Sequence, residues 1–227
     1  FPSLSVTDEG IRRVYFDNPG GTQVAKRVIT RMTDYFTTMN TNGGGAFITS
    51  RLTDSLLEET HAALADLVGA TDPDEIIFGQ NMTTLTLHLS RSLGNALSKG
   101  DEIVVTRMDH DANISPWLLM AEDHGLTVRW LDFNTETYRY DMESLASVLN
   151  SKTKLVAVNF ASNATGTVND VKTITKMAHD VGALVFVDAV QFTPHFATDV
   201  TDLDCDFLSC SAYKFYGPHQ GMLWGRR

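Results

Sequence analysis

The chain has 227 residues, 43% of them hydrophobic, with 28 acidic against 18 basic side chains and a formal net charge of −10. That length can bury a sizeable core, and ordinary charge content with 16 Gly and 6 Pro argues against a disordered chain or a fibre. The acidic balance repels phosphate backbones and no basic patch offsets it, so nucleic acid is not an expected partner.

Two cysteines, Cys205 and Cys210, are too few for a disulfide framework or a zinc site and fit a reducing compartment, read here as cytoplasmic. Phe1 to Arg13 shows neither a basic start nor an apolar core, so neither a signal peptide nor a membrane partner is expected. Asn-x-Ser/Thr triplets at Asn81, Asn113 and Asn163 read as chance or as site residues. The sequence opens without Met and stops just as an apolar run, Leu223-Trp224-Gly225, begins, which suggests a fragment.

In chain order, helical patterns cover Gln23 to Thr38 and Ser55 to Val68, the second with a possible Ser55/Glu58 capping box. Asn40 to Gly45 between them is loop. Glu75 to Gly79 reads as a strand, then Leu85, Leu89 and Leu93 form one stripe of a helix over Thr84 to Leu97. Strand Glu102–Thr106, helix Pro116–His124, extended Leu126–Leu131, helix Asp141–Leu149 and strand Lys154–Phe160 continue the alternation. Val171, Ile174, Ala178 and Val181 keep helical spacing between a capping Asp170 and a terminating Gly182, and Ala183 to Asp188 then runs apolar into one acid. Strand and helix in turn predict an α/β fold with a mostly parallel sheet flanked by helices, whose ligands sit at the carboxyl ends of the strands.

The usual nucleotide signatures fail. No G-x-G-x-x-G follows a strand and no G-x-x-x-x-G-K-[ST] occurs. Asp202, Asp204 and Asp206 mimic a calcium loop, but Phe207 stands at the sixth position and Tyr213 at the twelfth. Asp109, His110, Asp111 and His195 lack metal-ligand spacing, so no metal is expected.

The strongest chemical signal is Ser209-Cys210-Ser211-Ala212-Tyr213-Lys214-Phe215-Tyr216-Gly217-Pro218. One lysine among aromatic and small hydroxyl residues is partly desolvated, which favours the neutral amine that forms a Schiff base. Asp188, at the tip of an apolar strand, can keep a pyridinium nitrogen protonated; a helix cap or loop ion pair is its structural alternative.

Six segments then match one family in order and spacing. They are Tyr15 to Gln23, Asn81-Met82-Thr83-Thr84, Asp109-His110-Asp111-Ala112-Asn113, Ser162 to Gly166, Asp188-Ala189-Val190-Gln191 and Ser211-Ala212-Tyr213-Lys214. The chain resembles the cysteine desulfurase and selenocysteine lyase family, within the class V aminotransferase group of fold type I pyridoxal phosphate enzymes. The resemblance implies pyridoxal 5'-phosphate as cofactor and Lys214 as the Schiff-base lysine that moves a proton once substrate displaces it. It places the phosphate on Thr83, Thr84 and Ser211, His110 over the cofactor ring as a possible proton relay, and Asn163 and Gln191 at the phenolic oxygen. For Thr83 and Thr84 simple helix capping is the plain alternative, and for His110 an ordinary loop histidine.

Departures qualify the substrate more than the cofactor. Tyr213 stands where the best-known desulfurases have His, implying a phenolic phosphate or substrate contact, and Asp111 replaces a second His. The family's nucleophilic Cys and substrate-carboxylate Arg come from beyond the lysine, and Cys205 and Cys210 match neither position. The expectation is therefore residues 1–22 as an N-terminal segment contributing to the site and 23–227 as a cofactor-binding large domain lacking the C-terminal small domain. Expected activity is cleavage of the carbon–sulfur or carbon–selenium bond of a cysteine-like amino acid, with a sulfur-acceptor protein as partner and a homodimer by resemblance. A cysteine C–S lyase, an aminotransferase, an epimerase or a non-catalytic cofactor-binding fragment are the alternatives.

Overall fold

In the computed structural model, which describes residues 1–227, the alternation resolves into one seven-stranded sheet covered on both faces. A small ribbon of β1 (Thr7–Asp8) and β2 (Ile11–Arg12) precedes helices α1 (Lys26–Thr38) and α2 (Ile48–Val68). Then come β3 (Ile76–Gly79), α3 (Met82–Gly94), β4 (Glu102–Thr106), α4 (Ser115–His124) and β5 (Thr127–Leu131). A second ribbon, β6 (Phe133–Asn134) with β7 (Arg139–Tyr140), leads to α5 (Met142–Val148), β8 (Thr153–Asn159), α6 (Val171–His179) and β9 (Leu184–Asp188). The chain finishes with α7 (Val200–Leu203), β10 (Phe207–Ser211) and β11 (Gly221–Gly225).

The sheet order is β3-β11-β10-β9-β8-β4-β5. Strands β10, β9, β8, β4 and β5 pair in parallel, and only β11 runs against its neighbours. Strands buried on both sides divide their side chains between two cores. Val104, Val156, Val158, Val185, Val187 and Leu208 face one, with Ala65 and Val68 of α2 and Ile174 and Ala178 of α6. Ile103, Val105, Leu155, Ala157, Phe186 and Leu223 face the other, with Leu85 of α3 and Trp117 and Met120 of α4. The edge strand β5 is tied to β4 across the strands: Arg129 donates to both Glu102 carboxylate oxygens at 2.9 Å. That fork and a bond from Asn150 hold the Glu102 carboxyl down at about 2.

The largest departures from the sequence-based boundaries are in the first three helices. Helix α1 begins at Lys26 rather than Gln23, because Thr22 and Ala25 donate their backbone N–H groups to the carbonyls of Tyr213 and Tyr216 at 2.8 and 3.2 Å and are held extended. Helix α2 begins at Ile48, so Ser55 lies inside it and no Ser55/Glu58 capping box forms. Its first turns are fixed from the glycine loop instead: Gly45 N–H donates to Ser50 Oγ at 2.7 Å and Gly44 N–H to Asp54 at 2.9 Å. Helix α3 starts earlier than Thr84, with Asn81 as its cap, and ends at Gly94 rather than Leu97, where bonds from Ala96 and Leu97 tighten into a turn. The final apolar run forms β11, which lies between β3 and β10.

Candidate active site

The carboxyl ends of β3, β4, β8, β9 and β10 open on one cavity of about 400 Å³, in the range of small-molecule pockets. Each strand delivers its own part. Met82 and Thr83 follow β3, His110 and Ala112 follow β4, Asn159, Ala161 and Asn163 come from the end of β8, Asp188, Val190 and Gln191 from β9, and Ser211, Tyr213 and Lys214 from β10. Asp17, Pro19 and Gly20 of the N-terminal segment complete the wall.

At one end lies the N-terminus of α3, where the first backbone N–H groups lack helical partners. Met82 N–H donates to Ser211 Oγ at 2.9 Å, and Asn81 Oδ1 takes both the N–H and the hydroxyl of Thr84 at 2.8 and 3.0 Å. Thr84 thus acts as a capped helix residue and does not line the cavity. Thr83 does line it, and neither its backbone N–H nor its hydroxyl donates a hydrogen bond within the protein, which leaves both free at the positive end of the helix dipole. This placement depends on Gly221 of β11, where a Cβ would lie 2.5 Å from the Asn81 carbonyl carbon.

On the cavity floor Asp188 is buried, with Oδ1 accepting the Val190 N–H at 2.9 Å. Oδ2 takes no hydrogen bond from the protein. Burial pushes this carboxyl up to about 6, against the lowering effects of the Val190 N–H and of the Lys214 charge. Lys214 sits in the 3₁₀ turn Ala212–Lys214, half-buried, with Nζ 4.9 Å from the centre of the Tyr213 ring. Burial lowers its pKa, and the charges of Asp188 and Asp17 oppose that shift. Its ammonium donates to the Pro19 carbonyl, which also accepts from Gln191 Nε2 at 3.0 Å. Tyr213 stacks on His219 with centroids 4.3 Å apart, and burial followed by the Asp188 charge raises its phenol.

His110 precedes a second 3₁₀ turn, Asp111–Asn113, and its Nδ1 accepts the Ala112 N–H at 3.0 Å. Asn163 is exposed at the mouth. Two residues to which the sequence assigns no cofactor role also belong to the site region. Asn159 lines the cavity, with Oδ1 accepting from Tyr140 and from Asn169 Nδ2. Asp109 accepts from the Thr106 hydroxyl, Asn113 Nδ2 and Asn159 N–H, and shares the single Tyr140 hydroxyl hydrogen with Asn159 Oδ1. Burial, with the Asp188 charge adding to it, outweighs these donors and pushes the Asp109 carboxyl up to about 7. Its place just before His110 in the motif was the available signal.

These groups fit a ligand that is anionic at one end and carries a cationic ring nitrogen at the other. Free donors at the start of α3, an amine, and a buried carboxylate with one unpartnered oxygen meet in a single cavity.

The class V aminotransferase family model matches residues 14–227. The chain belongs to that family. It is 38% identical over 235 residues to an aminotransferase-like protein of Gibberella zeae, covering 100% of this chain and 56% of that protein. It is 36% identical over 230 residues to a cysteine desulfurase of Dickeya dadantii, covering 100% of this chain and 55% of the relative. Among solved structures, the apo cysteine desulfurase of Thermococcus onnurineus superposes with a TM-score of 0.89 at 31% identity, over 94% of this chain and 54% of that one. The chain therefore spans about half the length of the relatives it matches. Class V aminotransferases and cysteine desulfurases depend on pyridoxal phosphate, and the α/β sheet corresponds to the large domain of such desulfurases.

Proposed function

We propose that the protein is a pyridoxal phosphate-dependent, cysteine desulfurase-like enzyme acting on the carbon–sulfur or carbon–selenium bond of a cysteine-type amino acid. The observation that carries this reading is the convergence of Lys214, Asp188 and the unbonded donors of Thr83 on one cavity. When bound, pyridoxal phosphate supplies an aldehyde that condenses with amines and a ring that withdraws electrons from the substrate carbon.

The chain's own residues divide the remaining work. Thr83 at the α3 terminus and Ser211 beside it hold the phosphate, with Thr84 held by the Asn81 cap and Tyr213 alongside. Asp188 keeps a proton on the ring nitrogen through charge in a buried setting. Lys214 anchors the cofactor and then moves a proton at the substrate Cα. His110 covers the ring, and Asn163 and Gln191 serve the phenolic oxygen, with Gln191 first giving up its bond to Pro19. Residues 1–22 contribute to the site as a segment over the large domain, 23–227; the contacts of Thr22 and Pro19 with the Tyr213 and Lys214 turn support that division. A homodimer, a cytoplasmic location and transfer to a sulfur-acceptor protein complete the reading.

A second reading is a cysteine lyase that releases sulfide. Both cysteines are buried, and burial pushes each thiol up to about 12, so neither offers a thiolate to receive sulfur. A cysteine lyase releasing sulfide needs none. Pyruvate rather than alanine as the product of cysteine turnover would select it.

The cofactor reading is tested with the purified chain and pyridoxal phosphate. A visible absorbance band should form and should be abolished in Lys214→Ala, with the far-UV circular dichroism of the variant unchanged. Absence of the band in the parent protein, or its persistence in the variant, would refute the assignment.

A further inference from the structure

The hydrogen bonding of His110 fixes which of its nitrogens carries hydrogen. A backbone N–H can only donate, so the 3.0 Å bond from Ala112 to His110 Nδ1 requires a lone pair on Nδ1. In a neutral imidazole the hydrogen is then on Nε2. Nε2 is the nitrogen left for a ligand in the cavity that His110 lines.

The backbone around the ring leaves little freedom to change this. Asn113 N–H closes the turn onto the His110 carbonyl at 2.8 Å. Asn113 Nδ2 bonds Asp109 at 2.6 Å, and Asn113 Oδ1 accepts from the buried Trp117 indole at 2.9 Å. Asp109, the residue before the histidine, is further held by Thr106, Tyr140 and the Asn159 N–H, from the ends of three strands. Turning the ring over would set a C–H against the Ala112 amide, and Ala112 is buried, so that donor would be left unpaired.

We propose that His110 serves this site as a fixed Nε2–H hydrogen-bond donor to an anionic acceptor on the substrate or cofactor, and not as the base that removes a proton. In this tautomer Nε2 has no lone pair to receive one. Acting as a base would require moving the hydrogen to Nδ1 and breaking the Ala112 bond. Proton removal at Cα falls to Lys214, whose side chain lines the same cavity. The chemical part of this inference rests on the pyridoxal phosphate reading; the tautomer does not.

The test is a long-range proton–nitrogen correlation spectrum of the cofactor-free chain labelled with ¹⁵N-histidine. His110 is assigned among the 7 histidines by the signal lost in His110→Gln, or in His110→Asn if the first variant folds poorly. The expected pattern is a protonated Nε2 and an unprotonated Nδ1. A protonated Nδ1, or averaging between two tautomers, overturns the proposal. Adding pyridoxal phosphate to the same sample separates the two ideas. An Nε2–H pattern with no visible absorbance overturns the cofactor reading and with it the acceptor; absorbance with an Nδ1–H pattern overturns the donor role alone.

Discussion

At the scale of single residues the site is built from buried acids that the fold makes hard to ionise. Asp188 at about 6 and Asp109 at about 7 both lie above an ordinary aspartate, so between about pH 4 and 7 the folded chain binds more protons than the unfolded one. Stability of the cofactor-free protein should therefore fall as pH rises through that window, Asp188 contributing on the order of 3 kcal/mol. Asp188→Asn removes that share. Its melting temperature should decline less steeply between pH 4 and 7 than that of the parent, while its affinity for pyridoxal phosphate drops at least about tenfold, as expected for losing a charge-assisted bond. Thermal melts and absorbance titrations measure the two effects. An unchanged pH slope would show that burial of Asp188 carries no such penalty, and an equal loss of folding and cofactor affinity would favour a structural role. Lys214 and Asp188 were legible as candidates from sequence because each stands out against its neighbours. The Pro19 carbonyl that accepts from Lys214 was not, since nothing local pairs residues so far apart.

Among the elements, β11 positions the α3 end of the cavity. It pairs with β3 through Gly221 and Gly79 and with β10 through Gly221 and Ser211, and so draws the start of α3 against Ser211. Gly221→Ala would force a Cβ to within 2.5 Å of Asn81 backbone. The expected cost is about 1–3 kcal/mol of stability, as for other overpacked sites. It should also weaken pyridoxal phosphate binding, because the backbone that must yield carries Thr83. Gly225→Ala, whose nearest neighbour would be the Phe207 ring at 3.3 Å, is the control on the same strand. Denaturant melts and absorbance titrations of both variants decide it; equal effects would mean that the α3 approach is not the constraint. The strands β4, β8 and β9 were readable because continuous apolar runs mark strands buried on both faces. The start of α2 was not, since its first turns are polar and are fixed by the glycine loop rather than by a capping residue.

At the largest scale, residues 1–227 leave an apolar surface uncovered. Helix α1 has no buried residue, and its Ile29, Met32 and Phe36 are exposed together with Phe47, Ile48, Leu52 and Leu57 at and within α2. Such a concentration is unusual for an isolated soluble protein and supports the proposed homodimer. No helix is long and apolar enough to cross a membrane. Sedimentation of the 25.1 kDa chain should give twice that mass, and Phe36→Asp should shift it toward the monomer. A parent protein that stays monomeric at micromolar concentration would rule the dimer out.

By itself the sequence determined the alternation of strands and helices from β3 to β9, the parallel sheet that follows from it, and the six segments whose order and spacing match the family. Each of these is written in local periodicity or in short runs of residues. Only the tertiary structure decided that β11 runs antiparallel between β3 and β10, that Thr84 turns to Asn81 while Thr83 is left free, and that Asp109 anchors the His110 turn. These depend on hydrogen bonds between segments far apart in the chain, and the geometry of such bonds is set by packing rather than by residue type.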